Sequence, residues 1–294
     1  MDIENKNTKI LIIAATGMLG HKVYAELTKR YGESNISFTY RNREAVKKLH
    51  PRGEYQDYFK FDPFQNIGDM EKLKRRCFEG NRPKFDYIIN CLGVIKPNIN
   101  KNKAASVFLN SWLPHELTFL QYEDKNRVIH PSTDCLWDGK SGMYLENEES
   151  NDPSLYAKTK SLGESEKNMV LRVSIIGEEI HNNQSLIAWA KSKKGKKVQG
   201  YTNHIWNGMT TKEFAKCCIK IIDNDLWKEK VYHIFSPNII NKYELLKMIN
   251  ERFNLGLKIS AEKCKTVVDR SLITMENLNK KLKIADIAEQ IREL

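Results

Sequence analysis

The chain has 294 residues, 40% of them hydrophobic and 29% charged, which is enough to bury one large core or two smaller ones. No apolar run reaches the roughly 20 residues that a membrane-spanning helix needs, which argues against an integral membrane protein. The net charge of +11 comes from dispersed lysines. Their tightest group, at 191–197, has no interleaved aromatics, so no nucleic-acid partner is expected and a phosphate-bearing small ligand fits better.

Residues 1–8 are polar and carry acids, unlike a signal or transit peptide, so a cytoplasmic location is the default expectation. The six cysteines, at 77, 91, 135, 217, 218 and 264, form no Cys-x-x-Cys pair and no zinc-type Cys/His spacing. They read as thiols, and no metal site is expected.

In chain order, a continuous apolar strand at 9–14 is followed by a helix from about 18 to 30, a strand at 36–40 and a helix at 43–49. A helix at 69–80 precedes a buried strand at 85–92. Then come a helix at 103–122, a strand at 127–132, a helix at 153–167 and a strand at 170–176. Alternation of helices with strands apolar on both faces is the mark of an α/β fold, a Rossmann-type doubly wound parallel sheet. After Gly177 the pattern loosens: a helix at 184–194, a Gly/Asn/Trp-rich stretch at 200–208, a helix from 210 to about 222, a strand at 231–235 and small helices to the end. The division expected is a dinucleotide-binding domain at 1–176 with a returning segment near 209–235. Residues 177–294 would be mainly a substrate-binding cap.

The turn after the first strand is Ala14-Ala-Thr-Gly-Met-Leu-Gly20. Gly17 lets the backbone approach a pyrophosphate, Gly20 lets helix and strand pack closely, and Thr16, Met18 and Leu19 complete the loop at a helix N-terminus whose free N–H groups favour phosphate. Ala14 stands where such a turn usually carries its first glycine. After the second strand come Arg41 and Arg43 in place of the acid that holds an NAD ribose, so NADP is preferred, with NAD as the alternative. Asp62 is placed to meet the adenine amine. Cys91 and Gly93 end a strand beside the cofactor path, Gly93 allowing close approach of the ribose.

Tyr156 and Lys160 share one helix face. A free phenol, with a pKa of about 10, is a poor acid–base at neutral pH, and a nearby ammonium favours its phenolate. Thr133 would hydrogen-bond the substrate oxygen, Tyr156 would protonate the developing alkoxide, and a nicotinamide would supply hydride.

These segments, with Asn110-Ser-Trp-Leu-Pro-His115, Ser132-Thr-Asp-Cys-Leu-Trp-Asp-Gly139 and Leu171-Arg-Val-Ser-Ile-Ile-Gly177, resemble the extended short-chain dehydrogenase/reductases of the dTDP-4-dehydrorhamnose reductase type. The resemblance covers the first 180 residues well and the last third more loosely. It implies NAD(P)H-dependent reduction of the 4-keto group of a nucleotide-activated 4-keto-6-deoxy sugar, for deoxysugar or polysaccharide precursors. It implies catalytic Thr133, Tyr156 and Lys160, and substrate contacts from Lys96, Asp134, Arg172, Trp206, Asn207 and Arg270, the last toward a diphosphate. A homodimer is compatible with helices flanking such a sheet. Two alternatives stand beside this reading. Cys135, two residues after Thr133, is spaced like the acid–base cysteine of epimerase/reductases similar to GDP-fucose synthase, with His181 or Glu179 as partner. A non-catalytic role also stays open, because some proteins of this fold resemble the regulatory subunit of methionine adenosyltransferase, which binds a dinucleotide and does not need the Tyr/Lys pair.

Overall fold

The computed structural model describes residues 7–49, 57–123, 125–181 and 183–294; most of the polar opening segment lies outside them. Strands β1 (Ile10–Ile13), β2 (Ile36–Tyr40), β3 (Tyr58–Lys60), β4 (Tyr87–Asn90), β5 (Arg127–Pro131), β6 (Met169–Arg172) and β7 (Lys230–His233) form one sheet. Their order is β3-β2-β1-β4-β5-β6-β7, and every neighbouring pair is parallel. Ile10 pairs with Ile36 on one side and Tyr87 on the other. The chain therefore leaves β1 in one direction and returns to its other edge. Ligands of such sheets bind at this reversal, outside the carboxyl ends of the strands.

Strands β1 and β4 are buried along their whole length, because helices cover both faces. On one face α1 (Gly20–Tyr31) brings Val23, Tyr24 and Leu27 into a core with Phe214, Cys217, Cys218 and Ile221 of a later helix, Thr211–Asp223. On the other face Met70, Leu73 and Cys77 of α2 (Gly68–Cys77) pack with Leu109, Leu113, Leu117 and Leu120. Full burial of each large aliphatic side chain contributes about 1.5–3 kcal/mol.

The stretch expected as one helix at 103–122 is broken. It runs as an α-turn at Lys103–Val107, a π-turn at Phe108–Trp112, an α-turn at Leu113–Glu116 and a 3₁₀ turn at Leu117–Leu120. Pro114 has no N–H to bond the carbonyl of Asn110, four residues back. The helix expected at 153–167, α3 (Leu155–Leu162), ends at the Gly163 cap. The strand expected at 170–176 divides after Arg172, and Ile175–Ile176 instead pairs in parallel with Met209–Thr210.

Beyond Gly177 the structure holds more strand than expected. Lys197–Tyr201 pairs with Lys258–Glu262, and His204–Trp206 lies between Ile240–Asn241 and Val268–Asp269. Ile187, Trp206 and Ile291 form their own core with Leu245 and Ile249 of α5 (Lys242–Arg252), which follows α4 (Thr211–Asp223) in the chain. Residues 209–235 return to the main sheet as α4 and β7. No helix among the described residues is long and apolar enough to cross a membrane.

Candidate active site

The turn after β1 carries a strained residue. Ala14 sits at φ 62°, a region where an alanine pays for its Cβ. The Thr39 hydroxyl accepts the Ala14 N–H (2.8 Å) and the Thr39 carbonyl accepts that of Ala15 (3.0 Å), fixing this geometry from β2. Gly20 is required by close approach, since a Cβ there would lie 2.2 Å from the Ala14 carbonyl oxygen. At Gly17 the nearest atom to an added Cβ is 3.4 Å away, which leaves the loop face open. The α1 N-terminus has no side-chain cap; the His21 and Val23 N–H groups donate to the Gly17 and Leu19 carbonyls, which leaves the N–H groups of the loop before them to meet an anion. These features fit a dinucleotide pyrophosphate.

Arg41 and Arg43 are exposed at the end of β2, and Asp62 is half-buried just past β3. Lys48 and Arg41 both act on His181, whose pKa burial lowers first. The His181 Nδ1 is buried without a hydrogen-bond partner. His181 thus belongs to the Arg41 end of the crevice rather than beside Cys135. The other suggested partner of Cys135, Glu179, accepts the N–H groups of Gln184 (2.6 Å) and Ser185 (2.7 Å). Cys91, at the end of β4, has its thiol pushed up by burial. Gly93 faces Asn110, whose Oδ1 accepts the Val94 N–H (2.7 Å) while its Nδ2 donates to the Val94 carbonyl (2.9 Å).

Ser154 caps α3 by accepting the Ala157 N–H, which sets Tyr156 and Lys160 on the face toward β5. Burial pushes the Tyr156 phenol up, and Cys135 adds to this; the Thr133 hydroxyl facing the phenol works against it. The Lys96 ammonium lies 5.6 Å from the centre of the Tyr156 ring. Burial pulls Lys160 down to about 8, with Glu164 opposing. Its Nζ donates to the Pro131 carbonyl (2.9 Å) and lies 3.4 Å from His130 Nε2.

His130 and Asn90 are buried residues that the sequence did not mark. The Leu92 N–H donates to Asn90 Oδ1 (3.2 Å), which turns the Asn90 amide nitrogen toward His130 Nδ1 at 3.1 Å. The Asn90 amide thus orients the His130 ring, whose Nε2 edge faces Lys160.

On the substrate side, Thr133 accepts the Cys135 N–H (3.1 Å) and donates to Asp134 Oδ1 (3.2 Å). The Cys135 thiol donates to the same oxygen (3.4 Å). Burial, reinforced by Asp134, pushes this thiol up to about 11 despite Lys96 and Arg270. Cys135 is in the right place for a second acid–base but is held as a thiol at neutral pH. Arg270 donates to the Trp137 carbonyl (3.0 Å) and pairs with Asp152 (3.3 Å).

Two of the expected substrate residues are occupied within the protein. Arg172 makes a two-pronged pair with the buried Glu164 (2.7–3.0 Å), donates to the Glu146 carbonyl (2.9 Å) and stacks over Trp137. Asn207 spends its amide on both the N–H (2.9 Å) and carbonyl (2.8 Å) of Leu272. Both are struts of the cleft wall. Trp206 is buried beneath Lys242, whose ammonium lies 4.8 Å from the ring centre. Among the described residues, no group of three His, Cys, Asp or Glu side chains is arranged to hold a metal.

The model of the RmlD substrate binding domain matches residues 8–271. Among curated proteins, the beta subunit of methionine adenosyltransferase 2 from Xenopus tropicalis is 26% identical over 280 residues, covering 86% of this chain and 75% of that protein. A dTDP-4-dehydrorhamnose reductase from Clostridium acetobutylicum superposes with a TM-score of 0.68 at 18% identity, covering 97% of this chain and 98% of its own. A dTDP-4-dehydrorhamnose reductase from Bacillus anthracis, solved in complex with NADP, gives 0.71 at 16% identity, with 97% and 98% covered. At these identities the superpositions establish the fold.

Proposed function

The chain belongs to the RmlD substrate binding domain family, and from that premise we propose that it is a sugar-nucleotide reductase. It would use NADPH to reduce the 4-keto group of a nucleotide-activated 4-keto-6-deoxy sugar. The observation that carries this is the convergence of Thr133, Tyr156 and Lys160 at the carboxyl end of β5, beside the sheet reversal. A regulatory subunit has no need of that convergence.

The bound dihydronicotinamide would supply hydride to the carbonyl carbon. Thr133 orients the carbonyl oxygen, and Tyr156 gives its phenolic proton to that oxygen, leaving an alcohol. Its raised pKa keeps the phenol protonated for this donation. Lys160, near 8, can return a proton toward Tyr156. Gly17 and the α1 N-terminus would hold the pyrophosphate. Arg41, with Lys48 and His181 beside it, supports a 2′-phosphate and hence NADPH.

The test is NADPH consumption with a 4-keto-6-deoxy nucleotide sugar. Tyr156→Phe is expected to lower kcat by roughly 10²–10⁴-fold, the range for one general acid. A second reading, a dinucleotide-binding regulatory subunit, is supported by the methionine adenosyltransferase relatives. NADPH binding without turnover of any such sugar, and a change in the activity of an added methionine adenosyltransferase, would favour it. Epimerisation through Cys135 has no comparable support, because it needs a second acid–base: His181 is acted on by Arg41 and Lys48, and Glu179 is engaged by the Gln184 and Ser185 N–H groups.

A further inference from the structure

Lys242 occupies a costly position. It is the first residue of α5, whose N-terminus is completed by the Asn241–Glu244 capping box. A cation there opposes the helix dipole. Its side chain runs over the face of the buried Trp206, with the ammonium 4.8 Å from the ring centre. Among the described residues it has no hydrogen-bond acceptor and no ion-pair partner within contact distance. The groups that act on it are Asp134 and Cys135, which favour the ammonium, and Arg270, which opposes it. Burial lowers its pKa, the expected cost of a cation held without a close partner.

The surrounding charges do not cancel this cost. Lys96 and Arg270 both act on Cys135 and Asp152, so three cations meet two carboxylates at this wall. Asp152 is already paired with Arg270. Asp134 accepts from Thr133 and Cys135 through one oxygen. A charge placed against the helix dipole, partly desolvated and left unpaired weakens the free protein, and such a placement is characteristic of a ligand site.

We propose that Lys242 is the principal anchor for the phosphate groups of the substrate, with Trp206 orienting its side chain and Arg270 and Lys96 flanking it. The ligand class is a nucleoside diphosphate ester. The inference rests on the sugar-nucleotide reading above and names the residue that would recognise the diphosphate. Arg270, by contrast, is largely committed to the Trp137 carbonyl and Asp152, so its part is secondary.

The experiment compares wild type, Lys242→Met and Lys242→Arg by thermal unfolding and by calorimetric titration. The ligands are thymidine, uridine and guanosine diphosphates, the matching nucleosides and inorganic pyrophosphate. Lys242→Met keeps the aliphatic stem over Trp206 and removes the charge. It is expected to melt a few degrees higher than wild type without ligand, because an unpaired charge is gone. It should also bind the preferred nucleoside diphosphate roughly 10- to 100-fold more weakly, the range for a charge-assisted contact. Lys242→Arg should keep affinity within a few-fold of wild type. Undiminished diphosphate affinity in Lys242→Met, or a lower melting temperature, overturns the assignment. If wild type binds pyrophosphate as tightly as any nucleoside diphosphate, Lys242 holds a simple phosphate site and the ester class is wrong. If wild type binds no phosphate ligand at all, the sugar-nucleotide reading itself fails, a result distinct from failure of Lys242 alone.

Discussion

Lys160 ties stability to pH and, in the proposed reaction, would tie rate to pH as well. Its pKa of about 8 lies below the roughly 10.4 of a free lysine. Between those values the unfolded chain holds more protons than the folded one, so this group's contribution to stability rises with pH from about 8 to about 10.4. Below 8 the buried ammonium costs up to about 3 kcal/mol, at 1.36 kcal/mol per pKa unit. Lys160→Met is therefore expected to stabilise the protein at pH 7 by about 1–2 kcal/mol, the loss of the bond to the Pro131 carbonyl offsetting about 1 kcal/mol. The advantage should shrink at pH 9.5, where wild type has shed the charge. Urea unfolding at the two pH values measures this, and a variant weaker than wild type at pH 7 would show that the ammonium is well accommodated. For reduction the sign is opposite: wild-type turnover should fall as pH rises through about 8, because the neutral amine has no proton to pass on. The sequence made Tyr156 and Lys160 visible through their spacing. It could not show His130 or Asn90, since a histidine and an asparagine in apolar strands look like ordinary interior polar residues.

At the scale of elements, the helix that carries Tyr156 and Lys160 is positioned by an irregularity. The π-turn at Phe108–Trp112 places Asn110 so that it holds the Val94 backbone from both sides and donates to Thr159 on α3 (3.3 Å). Gly163 ends α3 directly against this turn, where an added Cβ would lie 1.9 Å from the Asn110 carbonyl oxygen. Gly163→Ala is expected to cost about 2–3 kcal/mol, typical of forced overpacking. It should lower kcat as well, because the shift is transmitted through Thr159 to the face carrying Tyr156. An unchanged urea midpoint would mean that the two backbones can separate freely. Regular elements were legible where the pattern was strong: Ile36–Tyr40 and Arg43–Leu49 fall where alternation and apolar periodicity put them. The π-turn was not, because its residues keep a helical apolar periodicity that masked the break at Pro114. Tyr58–Lys60 and the cap strands of two to five residues were missed because they are too short to show a period, and the two longest, Lys197–Tyr201 and Lys258–Glu262, are partly exposed and carry lysine. Arg172 was read as a substrate contact from its motif; Glu164, which engages it, lies on the turn after α3 and becomes its partner only through the crossover.

For the whole molecule, the net charge of +11 can be read as composition or as function. The fold separates the two. Arg41, Lys48 and His181 gather at one end of the crevice, while Lys96, Lys242 and Arg270 gather at the other. A cleft with cations at both ends, in a protein whose overall field has the same sign, should draw in anions and orient them before contact. NADPH and a nucleoside diphosphate sugar are both polyanions, so both encounters should be steered. The attraction is screened over a Debye length of about 10 Å at 0.1 M salt. Values of kcat/KM for both substrates are therefore expected to fall roughly 3- to 10-fold between 50 and 300 mM potassium chloride, a modest part of the range that steering can reach. The proposed hydride and proton transfers would occur among buried groups that salt does not reach, so kcat should change little over the same range. Lys242→Met should reduce the salt dependence for the sugar nucleotide and leave that for NADPH intact, because the two cation groups lie at opposite ends of the cleft. A flat kcat/KM for wild type would place the excess lysines among solvated surface charges. An equal loss of salt dependence for both substrates in Lys242→Met would mean that the molecule's field acts as a whole rather than through two separate poles.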